Sequence, residues 1–165
     1  MKKTFLIFLI ISIFSIFSIC KAQVSKTVGD FYKITTFDQI EATLIPSDDN
    51  KIIINGYNQE QVQLINKNGE LKIRMPIDKL LQGDVVSVTV FYTHLSALEA
   101  NEGSIISSSK PITADNFDII VKEGSQISIE LQTDNLTARV ANGSTLNLSG
   151  ITENQDIIVN SGGIY

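Results

Sequence analysis

Four glycines in the second half of the chain, Gly103, Gly124, Gly143 and Gly162, stand 21, 19 and 19 residues apart, and their surroundings recur with them. Three residues before each stand Ala100, Val121, Val140 and Val159. Five before stand Leu98, Ile119, Ala138 and Ile157. Three after stand Ile106, Ile127, Leu146 and Tyr165. The last three units add Asn116, Asn135 and Asn154 eight positions before the glycine, each preceded by an acid, Asp115, Asp134 or Glu153. A unit this short cannot bury its apolar side chains alone, so successive units must stack. Column identity then means that like residues lie above like residues. The expected fold is all-β: a right-handed parallel β-helix-like solenoid with coils of about 20 residues, glycine at a corner needing positive φ, and asparagines bonded from coil to coil.

The first half alternates as strands do but does not repeat. Ile40, Ala42 and Leu44 share one face. A turn signal at Pro46–Asn50 follows, then Ile52 and Ile54 before Asn55-Gly56. Asn68-Gly69 lies between Leu64-Ile65 and the pair Leu71 and Ile73, which is the strongest short hairpin signal because both turn residues need positive φ. Between Gln59 and Ile65 a short helix competes with a strand. The expected organisation is a leader at 1–22, a polar lead-in at 23–36, and one solenoid domain at 37–165 that opens with a hairpin-rich part.

The leader follows from Lys2 and Lys3, an apolar run from Phe5 to Ile19, and small side chains at Cys20 and Ala22 before Gln23. That is the layout of a secretory signal peptide, and the run is too short for a usual membrane span. Losing Lys2, Lys3 and Lys21 moves the net charge from −5 to −8. An acidic chain is a poor nucleic-acid binder. The only cysteine, Cys20, leaves with the leader, so disulfides, thiolate catalysis and cysteine-held metals are excluded from the mature chain. One histidine, His94, makes no His-rich metal site and is read as a turn residue.

The leader, the opening Phe37-Asp38-Gln39-Ile40 and the Gly-Ser corners together resemble the autotransporter adhesin "head GIN domain" family over about Phe37 to Tyr165. The resemblance implies an exported bacterial protein with a β-helix-like fold. It carries no catalytic residues to transfer. Family members usually continue with further coils, so the end at Tyr165, in mid-coil, reads as incomplete.

The acids Asp115, Asp134 and Glu153 are the candidate ligands for a calcium ion, which relieves repulsion between stacked carboxylates. Splayed, solvated side chains relieve it equally well, so no metal and no cofactor are expected. A carbohydrate-active β-helix enzyme is the alternative reading. It needs two carboxylates across a scissile bond, for which Asp118 with Glu130, or Glu102 with Glu123, are the pairs available. Nothing distinguishes them from other surface acids. Phe31, Tyr32, Phe91 and Tyr92 form either a sugar-stacking patch or part of the core. The Asn-x-Ser/Thr triplets at Asn135, Asn142 and Asn147 reflect turn composition. The expectation is therefore a non-catalytic, adhesin-like or envelope-associated module located in the periplasm, at the outer-membrane surface or outside the cell. Its expected partners are glycan or envelope components. The apolar last coil, with Ile157, Ile158, Val159, Ile164 and Tyr165, invites end-to-end self-association through an open strand edge.

Overall fold

The computed structural model describes residues 24–165. The leader expected at 1–22, with Cys20, lies outside them. The strands are β1 (Val24–Thr27), β2 (Lys33–Thr36), β3 (Glu41–Pro46), β4 (Lys51–Gly56), β5 (Gln63–Lys67), β6 (Glu70–Arg74), β7 (Val86–Tyr92), β8 (Ala97–Ala100), β9 (Ile105–Ser108), β10 (Ile112–Val121), β11 (Gln126–Val140) and β12 (Thr145–Val159). Two short 3-10 turns and no α-helix accompany them among the described residues. All twelve strands join one mixed sheet, curled on itself because β11 is long enough to pair with β9 through its first half and with β10 through its second.

Parallel register aligns the repeat columns. Leu98, Ile119, Ala138 and Ile157 lie side by side across β8, β10, β11 and β12, as do Ala100, Val121, Val140 and Val159. On the other run Ile106, Ile127 and Leu146 are neighbours. Alternation sends these side chains inward, and Leu98, Val121, Ile127, Val140 and Leu146 are buried.

Two consecutive left-handed residues make each corner: Glu102-Gly103, Glu123-Gly124, Asn142-Gly143 and Ser161-Gly162, with φ between 49° and 76°. The fourth residue donates its N–H to the first carbonyl, as Ser104 does to Asn101 at 3.1 Å. This is the primed turn, which places glycine where a Cβ is least tolerated. A fifth corner of the same kind, Asp38-Gln39, has no glycine at all. It is the centre of the Phe37–Ile40 opening, and its absent glycine hid it from the sequence repeat.

The first half departs from the sequence reading in two ways. Residues read as a lead-in supply β1 and β2, and β2 is interior: Ile34 sits between Leu71 of β6 and Leu98 of β8. The N-terminal part is also not rich in hairpins. β5 and β6 pair antiparallel around Asn68-Gly69. The Pro46–Asn50 turn closes no hairpin, because β7 inserts between β3, which it pairs in parallel, and β4, which it pairs antiparallel. The four residues Ser47–Asn50 instead bridge the end of β7, where Ser47 donates its N–H to the Tyr92 carbonyl at 2.9 Å. The ambiguous Gln59–Ile65 stretch divides into a 3-10 turn at Gln59–Gln61 and the start of β5.

Candidate functional site

Outward side chains in register form rows that cross the whole sheet. On the β6-β2-β8-β10-β11-β12 run one row reads Glu70, Lys33, Ala97, Asp118, Thr137, Asp156. The next reads Lys72, Thr35, Glu99, Ile120, Arg139, Ile158. Lys33 Nζ lies 2.6 Å from Glu99 and 3.2 Å from Glu70. Lys72 extends the network to Glu70 at 3.5 Å, and Lys122 extends it to Glu99 at 3.2 Å. Burial alone would raise the Glu99 and Glu70 carboxyls. For Glu99, hydrogen bonds and charge from Lys33 and Lys122 outweigh it. For Glu70, the Thr35 hydroxyl, Lys33 and Lys72 do so, and both acids end below their ordinary values. Lys33 is raised in turn, because its two carboxylate partners overcome the burial that would lower it.

Where this network ends a hollow of about 480 Å³ opens, floored by Ala97 and bordered by Tyr32, Lys33, Asp118, Ile120, Lys122, Thr137 and Arg139. Tyr32 is half exposed, and a second hollow lies on its other side, toward Lys67, Glu70 and Lys72. Its ring rests on Gly69 of the hairpin turn, so close that a Cβ there would collide with it.

The other run carries an uncharged row: Thr89, Thr43, Ser107, Ser128 and Asn147. The Thr43 and Ser107 hydroxyls are 3.5 Å apart. At the far bend, Asn135 donates to Asn116 Oδ1 and Asn154 donates to Asn135 Oδ1, each at 3.1 Å. Asp115, Asp134 and Glu153, one position earlier, are exposed. Among the described residues no group of three or more His, Asp or Glu side chains is placed to hold a metal ion.

The remaining sequence candidates separate. Asp118 borders the hollow over Ala97, while Glu130 borders a different one with Ser128 and Asn147, so they do not face a common bond. Glu102 and Glu123 occupy successive corners. Burial and then the neighbouring Asp38 carboxylate raise the Glu102 carboxyl. His94 is exposed. Phe31 and Tyr92 belong to the core, and Phe91 lies under Lys51, whose Nζ is 5.7 Å from the ring centroid. Of the four aromatics, only Tyr32 faces a groove.

Two features escaped the sequence. Asp38 is buried, and its carboxylate accepts the N–H groups of Met75 (2.9 Å) and Leu81 (3.1 Å), clamping the loop between β6 and β7 onto the first corner. The Ala97 hollow is lined by side chains scattered from Tyr32 to Arg139, and only parallel register brings them together. No helix among the described residues is long and apolar enough to cross a membrane.

The fold is thus a curled mixed sheet that displays ordered rows of side chains on its outer faces. The chain belongs to the family described as "Putative auto-transporter adhesin, head GIN domain", whose model matches residues 30–165. Its fold is similar to that of a "putative adhesin" from Bacteroides fragilis, with a TM-score of 0.72 and 17% identity over 87% of this chain and 72% of that one. A "putative adhesin" from Parabacteroides distasonis gives 0.64 and 15% over 84% and 69%. A protein of that organism called a "putative lipid binding protein" gives 0.55 and 13% over 87% and 74%. At these identities the likeness is one of fold. No curated protein matches the sequence.

Proposed function

We propose that this chain is an exported, adhesin-like module of the bacterial envelope that acts by surface contact and not by catalysis, built as a β-solenoid of about 20-residue coils. The observation that carries the reading is the display of in-register, mostly polar rows across the outer faces of the sheet. Register holds each side chain in a row about 4.8 Å from the next, which suits an extended ligand more than a small enclosed one. Membership in a family described as adhesins supports it. The leader motif supports export. The partners are glycan or envelope components.

The test is adhesion of the mature protein to glycan-coated surfaces and to cells, beside an assay for polysaccharide breakdown. Saturable adhesion without new reducing ends is the expected result. Turnover of a polysaccharide would replace this reading with that of a carbohydrate-active enzyme.

A further inference from the structure

Within an acidic molecule, the sheet face around Ala97 gathers Lys33, Lys72, Lys122 and Arg139 beside as many carboxylates, and one of these cations stands outside the ion-pair network. Lys33, Lys72 and Lys122 are engaged by Glu70 and Glu99. Arg139 is exposed and makes no ion pair among the described residues. The register explains why. In the row Glu99, Ile120, Arg139, Ile158, an isoleucine stands on each side of the arginine. The nearest carboxylate of that row is two strands away, roughly 9–10 Å across the sheet, and the diagonal neighbours Asp118 and Asp156 of the adjoining row make no ion pair with it. A guanidinium flanked by apolar side chains and free of a partner is set to take a carboxylate through two parallel hydrogen bonds.

The rest of the hollow fits the remainder of a sugar. Ala97 interrupts a row of longer side chains, so the floor is low and apolar there. Tyr32 supplies an aromatic wall, held by its seat on Gly69, on which the C–H face of a pyranose ring can lie. Asp118 and Thr137, paired across β10 and β11 one step along the strands from Arg139, offer acceptors and a donor to hydroxyls.

We propose that the Ala97 hollow binds a carboxylated sugar residue of an acidic oligosaccharide, with Arg139 holding the carboxylate and Tyr32 stacking on the ring. This deepens the surface-contact reading and rests on it. The experiment is titration calorimetry of the mature protein with oligogalacturonate, oligomannuronate and their carboxyl-reduced neutral forms. It is run in parallel with Arg139→Gln and Ala97→Phe, both of which alter outward positions, and with phosphatidylcholine vesicles as a further arm. Circular dichroism melts establish that each variant is folded.

The expected result is saturable binding of at least one acidic oligosaccharide. Arg139→Gln weakens it at least about tenfold, since a charged hydrogen-bonded contact is lost. Ala97→Phe abolishes it by filling the floor. The neutral forms bind more weakly, and added salt lowers the affinity. Unchanged binding in both folded variants overturns the proposal, as does binding of neither acid. So does a response to vesicles alone, which would assign the hollow to lipid. Adhesion in the surface assay that survives both substitutions would leave the module reading intact while removing this site. Absence of adhesion to any surface would remove the module reading itself.

Discussion

At the scale of single residues, two glycines that look alike in sequence carry different constraints. Gly124 has a φ of +72°, and a Cβ built on it meets nothing within 4 Å. Gly124→Ala therefore costs only the left-handed backbone, roughly 1–2 kcal/mol. Gly150, inside β12 at φ +119°, would drive its Cβ into the carbonyl oxygen of Leu131 on the paired strand. Gly150→Ala should be the more destabilising of the two in a urea melt, and equal midpoints would show that the β11–β12 spacing relaxes freely. The corner serine Ser144 behaves in the opposite sense, unlike Ser104, whose hydroxyl bonds Thr36 and Asn101. Ser144 is fully buried and its hydroxyl has no hydrogen-bond partner, so Ser144→Ala should be neutral or slightly stabilising. Val140, four residues earlier, is buried in the apolar stack, and Val140→Asp should cost several kcal/mol, enough to unfold a domain of ordinary stability. A thermal melt with Val140→Asp matching the parent would refute the inward assignment of that column.

Among elements, the charge network spanning β6, β2, β8 and the end of β10 sets the dependence on pH. The folded-state values of Glu70 and Glu99 lie below the ordinary 4.5. Their contribution is fully present above that value and is lost as pH falls through the folded-state values. Lys33 is shifted above 10.5, so its contribution persists through neutral pH and fades only when pH rises past its folded-state value. Glu102 has the reverse sign. Burial and Asp38 raise it above 4.5, so the folded state holds its proton more tightly and loses relative stability as pH rises through that window. Glu99→Gln should therefore lower the melting temperature near neutral pH, by a free energy on the order of 1 kcal/mol or less for a partly exposed network, with parent and variant converging in acid. Glu102→Gln should raise it near neutral pH and leave it unchanged well below 4.5. Melts across the acid-to-neutral range check both, and a Glu102→Gln variant less stable at neutral pH would mean that the carboxylate has a partner outweighing Asp38.

For the whole molecule, the two ends of the sheet are finished differently. On the N-terminal side antiparallel strands cover the parallel stack: β4 and β1 lie beyond β7, and β5 lies beyond β6. On the C-terminal side β12 pairs with β11 and is met, across its outer edge, by the Thr145–Ile164 bridge and by the Tyr165 hydroxyl, which donates to Gln155 Oε1 at 3.3 Å. Ile151, Ile158, Val159, Ile164 and Tyr165 are exposed there. An apolar edge with few partners templates strand addition. The polypeptide Gln23–Tyr165 should grow in mass with concentration in light scattering, and Ile158→Lys should shift it toward monomer. A concentration-independent monomer would show that the edge is protected.

The glycine, asparagine and apolar columns of the second half were legible because each is a periodic demand. A primed corner needs two positive φ values, an inward stack needs one residue size, and neighbouring asparagines need each other. Leu98, Ile119 and Ala138 could be aligned before any coordinate was known, for stacking repeats in space what the chain repeats in sequence. Non-repeating partners were beyond reach. Nothing around Lys33 announces Glu70 and Glu99, and β2 reads as a polar lead-in until β6 and β8 bury its inner face. Asp38 passes for a surface acid until it meets Met75 and Leu81. The Ala97 hollow, with Tyr32 on one side and Arg139 on the other, arises because parallel pairing converts positions scattered along the chain into adjacent rungs. The register of each pairing is decided by the core as a whole, where a one-residue slip would turn every buried side chain toward water.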